Sequence, residues 1–480
     1  MKTYRLPSLK KLLVALTAPA LAVLSGSQAH AGPFTYGNIA VLQQGDGINI
    51  LSSTSAPIAI LEFTVGGTLV QTINIPSNGV SRRAQVGNSA TEGYLSRSLD
   101  SSNLVFSGYD ADAGLPGVVA SNSAAVNRLV GQLDFNGNFT RTAISSSEYS
   151  GANHRSAASD GASYWTAGSA GGIWYSANGG TPIQIGNEST SGGNLRVAKI
   201  FNGQLYYSTA SGTIGIFLVT NGLPTAPPVP TNGAVNVVVD GGSGPSPYDF
   251  AVNPSSNVLY VADDRSVASG GGVQKWTFSG GIWTSNYTFG AGAGLTAGCR
   301  AIAVDFSGVN PVIYATTADS PTKLITIPDT GSSATATTLA TAAANKAFRG
   351  VALAPGSASS GPPSVTGITP YPGVTNSAGS TVVFNVMATG STPLSFFWYK
   401  EIPGTGTNLI SSATAAALSF PSAAVTDSAN YQVVVSNSTL LTATSAVVTS
   451  NRRRSPRRAG DTGFRSNALI SAAAPSRTAW

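Results

Sequence analysis

The 480-residue sequence predicts an all-β protein in two units, a large body of repeated four-stranded sheets followed by a smaller β-sandwich. Three observations lead there. Glycine contributes 55 residues and charged side chains only 10%, against about 25% charged residues in ordinary soluble domains. Almost no stretch joins Leu, Glu, Lys and Ala at the helical repeat, whereas short β-branched and aromatic runs alternate with Gly, Asn and Ser turns. Hydrophobic residues at 42% and aromatics at 8% supply enough apolar surface for a packed core, which excludes disorder throughout. The length exceeds the roughly 100–200 residues of one domain, so two or more units are required.

The first 31 residues have the form of an export signal. A basic start (MKTYRLPSLKK) leads into an apolar run from Leu12 to Leu24, and SGSQAHA places Ala29 and Ala31 at the small-residue positions before Gly32. The apolar run contains Pro19 and is too short for the ~30 Å of bilayer hydrocarbon. Cleavage near Ala31 and a secreted, periplasmic or cell-surface destination are expected, with no membrane span. The net charge of +6 divides unevenly along the chain. The signal carries Lys2, Arg5, Lys10 and Lys11, and residues 32–450 hold 15 basic and 19 acidic side chains. The segment after Ser450 has seven arginines (452, 453, 454, 457, 458, 465 and 477) against Asp461. The body is therefore mildly acidic and lacks the continuous basic face that tracks phosphates, so nucleic acid is not an expected partner.

Cysteine and histidine usage removes further chemistry. Cys299 is the only cysteine, so no intrachain disulfide forms despite the oxidising destination. His30 leaves with the signal, and His154 is then the only histidine. Zinc sites built from His and Cys are excluded by number. His154 stands in a polar stretch beside Arg155 with no Gly-x-Ser-x-Gly elbow nearby, and reads as a surface or loop residue. No metal and no cofactor are expected.

One pattern recurs through residues 32–356. An apolar strand opening on a charged residue is followed by a turn, a Tyr-containing β-branched run, another turn and further alternating strands. The first strands read EGYLSRSLD at Glu92, RSAASD at Arg155, RVAKIF at Arg196, DFAVNP at Asp249, RAIAVDF at Arg300 and RGVALAP at Arg349. These residues lie 63, 41, 53, 51 and 49 positions apart, near the ~40–50 residues of one propeller blade. The Arg349 strand has no second strand of the repeat after it, and the chain runs into the linker 357–362 instead. The missing strands stand at the other end, in NIAVLQQGDG, IAILEFTVGG and TLVQTINIP. The expected body is a β-propeller of six blades, seven being the alternative count. Its last blade is built from both ends of the domain.

With its YVADD-type second strand, the body resembles secreted bacterial β-propeller proteins with quinoprotein-like and lactonase-like repeats. That resemblance implies the fold. Lactonase-type propellers hold a divalent metal through carboxylate and amide side chains, and no such set is placed on residues of this chain.

Residues 363–449 carry a second mark. Trp398 lies 12 residues after Val386, and Asp427 lies four before Tyr431. A core Trp and an Asp-x-x-x-Tyr corner resemble an immunoglobulin-like sandwich of the intermediate set. Val386 and Val433 stand where that family usually has its two cysteines, and two apolar side chains fill the same space between the sheets. The resemblance implies a spacer or adhesive module. Residues 450–480 have no alternating pattern and are expected as a basic, disordered tail.

The strongest candidate site is positional. The first strand of each blade lines the central channel, so Glu92, Arg155, Arg196, Asp249, Arg300 and Arg349 are expected to ring one mouth. Arginines there either bridge blades by pairing with Glu92 and Asp249 or capping carbonyls, or bind a carboxylate, sulfate or sugar acid. Asp110-Ala-Asp112 resembles the start of a calcium loop without its later ligands, and Asp263-Asp264 reads as turn chemistry. Trp165, Trp174, Tyr175, Trp276 and Trp283 read as inter-blade core, or as surfaces for sugar rings. Asn138, Asn187, Asn286 and Asn437 head Asn-x-Ser/Thr sites. Two function classes follow. The first is an exported, non-enzymatic binding or surface-associated protein, with polysaccharide, an anionic small molecule or a surface protein as partner. The second is a propeller hydrolase or lyase acting on carbohydrate or lactone through channel carboxylates such as Glu92 and Asp249.

Overall fold

The computed structural model describes residues 31–453 except 188–193, 220–221, 228–233, 239–243, 309, 357–362, 391–393, 403–405, 411–414 and 437–441. Residues 1–30 of the segment expected as an export signal, the expected linker 357–362, the basic segment beyond Arg453 and Asn437 lie outside the described residues. No described helix is long and apolar enough to cross a membrane.

Alternating apolar strands between glycine turns pair with their chain neighbours, and the described residues form six four-stranded antiparallel sheets. Five follow chain order outward from an innermost strand. These innermost strands are Ser96–Arg97, His154–Ser159, Leu195–Phe201, Pro247–Val252 and Cys299–Asp305. The sixth sheet joins distant segments: Ala347–Leu353 is innermost, and Ile39–Gln44, Ile58–Phe63 and Leu69–Asn74 follow outward. Each innermost strand lies against the next, and Ala347–Leu353 lies against Ser96–Arg97, so the ring closes. This radial arrangement is that of a β-propeller. The closing register sets Val41 opposite Val351 and Ile39 opposite Leu353. Ile39, Val41, Leu61, Phe63, Phe348 and Val351 enter one shared buried cluster.

The Glu92 segment differs from expectation. Only Ser96–Arg97 of EGYLSRSLD is strand, and Glu92 precedes it. Gly93 adopts φ +81°, a left-handed turn that ends extended backbone there. At the same junction Gly350 donates its N–H to the Gly93 carbonyl at 2.9 Å.

Residues 363–453 form two facing sheets. One holds Ser364–Thr369, Val382–Thr389 and Ala417–Phe420. The other holds Gly373–Ser377, Val448–Arg453, Ala429–Ser436, Ser395–Ile402 and Gly406–Leu409. Trp398 is fully buried between them with Val386, Phe384, Tyr431 and Val433. The Tyr431 hydroxyl donates to the Asp427 carbonyl at 2.9 Å. The last strand runs on to Arg453, pairing in parallel with Gly373–Ser377, so the sandwich extends four residues into the segment expected to be tail. Ladder pairing uses backbone groups and tolerates the change of composition there.

Ring closure leaves no room for a side chain at Gly350. A Cβ there would sit 2.3 Å from the Leu95 nitrogen and 2.5 Å from the Gly93 oxygen. Gly350→Ala is expected to destabilise the protein by about 1–3 kcal/mol through overpacking. Gly292→Ala, with nothing within 4 Å of the added carbon, should stay within about 0.5 kcal/mol. Urea unfolding of both variants measures the difference.

Candidate binding site at the channel mouth

Equivalent positions of neighbouring innermost strands meet around the ring. The Ala198 N–H donates to the Ser156 hydroxyl at 2.9 Å, and the Ile302 N–H to Asp249 at 3.0 Å. The strands therefore run the same way along the channel, with their first residues at one mouth and their last at the other.

Four of the six expected residues gather at the first mouth, near two tyrosines in contact at a tilt. Tyr94 and Tyr248 pack with ring centroids 6.1 Å apart. The Arg196 guanidinium lies 3.6 Å from the Tyr248 centroid and that of Arg300 lies 5.9 Å away. Arg196 donates to the Ser246 hydroxyl at 3.0 Å, and Ser246 donates to Asp264 at 2.7 Å. Arg300 pairs with Asp264 at 3.2 Å and caps the Ala318 carbonyl at 3.3 Å. Arg155 is buried and holds the Asn194 side-chain oxygen at 2.6 Å and the Leu195 carbonyl at 2.9 Å. Arg349 donates to Gln44 at 2.8 Å. Burial pulls Arg349 down to about 10, with Arg300 adding to the effect, and burial also lowers Arg155. Among the described residues the buried Tyr94 hydroxyl has no hydrogen-bond partner.

The two expected acids do not pair with these arginines. Glu92 is fully satisfied by neutral donors: the Tyr109 hydroxyl at 2.6 Å, Asn153 at 2.6 Å, Gln85 at 2.8 Å and the Val86 N–H at 3.4 Å. Asp249 lies deeper and takes Lys199 at 2.6 Å, with N–H groups from Ile302 and Phe250 at 3.0 and 2.8 Å. Burial raises both carboxyls. The arginines bridge blades mainly through neutral acceptors and carbonyls instead, and among the described residues Asp264 is the one carboxylate ion-paired with any of these four. Tyr94, Tyr248, Ser246 and Asp264 were not singled out in sequence; the Tyr immediately before Asp249 was the available signal.

His154 corrects another expectation. It opens an innermost strand, is fully buried and stacks on Tyr149 at 5.0 Å, with Nδ1 3.3 Å from the Gly108 carbonyl. Its polar neighbours misled because strand alternation turns them toward satisfied positions between sheets. Asp110 takes Arg82 at 2.9 Å and Arg141 at 2.5 Å, and Asp112 takes Arg82 at 3.7 Å, so arginines occupy the calcium-like start. Asp263 is buried against Arg265 at 2.9 Å. Trp165 and Trp276 are buried, and Trp174, Tyr175 and Trp283 are half-buried. Cys299 is buried, and its thiol is pushed up to about 12 by that burial. Among the described residues no three His, Cys, Asp or Glu side chains gather into a metal site.

A buried polar cluster beside Glu92 gives a pH signature. Burial raises Glu148 to about 8 from 4.5 and lowers His154 to about 3 from 6.5. Between pH 4.5 and 8 the folded chain keeps a proton on Glu148 that the unfolded chain has lost, so this group costs stability as pH rises. Between pH 6.5 and 3 the unfolded chain takes up a proton that buried His154 refuses, so that group costs stability as pH falls. Glu148→Gln should flatten the alkaline decline and His154→Phe the acid decline, each by up to about 1.4 kcal/mol per pH unit. Urea midpoints at pH 4.5, 6 and 8.5 read both effects.

No family model matches the sequence, and no curated protein matches it. Among solved structures, Sqt1 from Chaetomium thermophilum is similar with a TM-score of 0.32 and 13% identity, over 85% of this chain and 94% of that one. The β-propeller domain of Cps50 (Swd1) from Myceliophteria_thermophila gives a TM-score of 0.30 and 9% identity, over 75% and 98%. At these scores the likeness carries no argument, and the propeller description rests on the closed ring of sheets.

Proposed function

We propose that this chain is an exported, non-enzymatic binding protein. Its six-bladed propeller presents an anion-binding channel mouth, and its immunoglobulin-like domain serves as a spacer or adhesive module. One observation carries the reading: the Arg196 and Arg300 guanidinium groups lie against Tyr248 at the mouth where Arg155 and Arg349 also stand, and among the described residues only Asp264 forms an ion pair with any of the four. A guanidinium keeps its charge under these conditions and offers paired donors to a carboxylate or sulfate. The orphan Tyr94 hydroxyl adds a donor at the same place. The partner class is an anionic ligand, either a small acid or sulfate or the acidic groups of a polysaccharide. Glu92 and Asp249 hold separate sets of donors, so neither has a carboxylate partner for acid–base work. The buried Trp398 and the Tyr431 corner support the immunoglobulin-like assignment. The basic start and short apolar run of residues 1–31 support export.

The test is retention of the purified protein on heparin and on polygalacturonate, with calcium and with chelator. Retention that survives chelation is expected, and Arg196→Ala with Arg300→Ala should weaken it at least tenfold while leaving the thermal midpoint nearly unchanged. Unchanged retention in the double variant would overturn the site. Release of cleaved product would favour a channel enzyme instead.

A further inference from the structure

The opposite end of the channel holds a second, differently built cavity. It has a volume of about 240 Å³, and the last residues of several innermost strands line it. Its walls are apolar: Leu95, Phe201, Val252, Val304 and Val351 contribute. Two cations also line it, and they are not equivalent. Lys199 is consumed by the channel itself, with both Asp249 oxygens at 2.6 and 2.8 Å and the Ile302 carbonyl at 3.1 Å. The Arg97 side chain makes no hydrogen bond and no ion pair with any described residue, while its backbone pairs with Leu104. It is half-buried at the end of the shortest innermost strand. Surrounding protein lowers its basicity, and the field of Asp305 reaches it without an ion pair forming.

A half-buried guanidinium whose donors no protein group takes is open to an acceptor that enters the cavity. Around it the lining is mostly apolar, with Ser96, Ser98, Ser101, Asn202 and Thr389 as its polar part. The Lys199–Asp249 pair ties two neighbouring innermost strands, with Asp249 fully buried behind the cavity wall. We propose that this cavity is a second ligand site, taking a small carboxylate or sulfonate with an apolar body, its anionic group on Arg97 and its body against Leu95, Phe201, Val252 and Val304. Convergent polar groups in an otherwise apolar concavity are the usual form of small-molecule sites. The volume suits a compact body on the anionic group.

The probe is 8-anilinonaphthalene-1-sulfonate, titrated by fluorescence against the full-length protein, with neutral N-phenyl-1-naphthylamine as the uncharged comparison. The sulfonate should bind at least tenfold tighter than the neutral compound, and 4-phenylbutyrate should displace it. Arg97→Gln should raise its Kd at least tenfold, and Arg196→Ala with Arg300→Ala should change it less than twofold. That last arm separates this site from the mouth, whose failure to bind would leave the present result standing. Equal binding of charged and neutral probes, or wild-type affinity in Arg97→Gln, overturns the proposal. If Arg97→Gln does not fold, the comparison of the two probes on the wild-type protein decides the matter.

Discussion

The antiparallel ladder between Ile39–Gln44 and Ala347–Leu353 is the constraint on which the rest depends. It joins segments about three hundred residues apart without a covalent link, since the chain has one cysteine and that cysteine is buried. The entropic cost of closing a loop rises only slowly with its length. The ladder is offset by apolar burial, with full burial of each Val, Ile or Phe worth about 1.5–3 kcal/mol. The same ladder also builds the mouth. Gln44 and Arg349 come from opposite ends of the ring, and only closure brings them to 2.8 Å. Gly350 meets Gly93 at the next contact, so closure sets the approach of the neighbouring sheet as well. Stability and site therefore share one junction.

Much of this was legible because each repeat carries two signals in phase. Strand alternation gave the pairing, and a charged first residue marked where each channel strand begins. The completion of the last sheet from the opposite end of the domain followed from counting strands. Arg155, Arg196, Arg300 and Arg349 were legible for the same reason. Their partners were not, because partner choice is decided between sheets, where sequence spacing gives no distance. Glu92 illustrates the limit. It shares the repeat position of the arginines, yet Gly93 turns the chain and the carboxylate faces Gln85, Tyr109 and Asn153. His154 was misread because polar neighbours ordinarily mark surface, whereas here the local polarity belongs to a buried network. Arg97 gave no repeat signal at all, standing at the end rather than the start of its strand.

The division of acids from arginines follows from desolvation. A buried carboxylate is costly in low dielectric unless donors surround it, and several neutral donors satisfy it without immobilising a cation. Glu92 follows that course, and Asp249 uses one lysine together with two backbone N–H groups. Apart from Arg300, which pairs with Asp264, the arginines are left with hydroxyl, amide and carbonyl acceptors, which hold their planes and leave their charge uncancelled. Arginine suits this role better than lysine, because its fork can hold a blade-bridging acceptor with one face and offer another outward. Tyr248 supports this by lying beneath the Arg196 plane.

The channel is thereby divided by charge along its length. At one end, several guanidinium groups are spread over a broad rim, suited to repeated or multiply charged anions. In the middle, Lys199 and Asp249 cancel each other and tie two neighbouring innermost strands together, with the Ile302 carbonyl bringing in a third. At the far end a single unpaired guanidinium faces apolar walls, which suits one anionic group on a compact body. The neutral, strand-tying pair in the centre adds no net charge to either end, and the walls decide what accompanies the anion. Charge draws a ligand to either end, but packing against the walls selects which ligand remains.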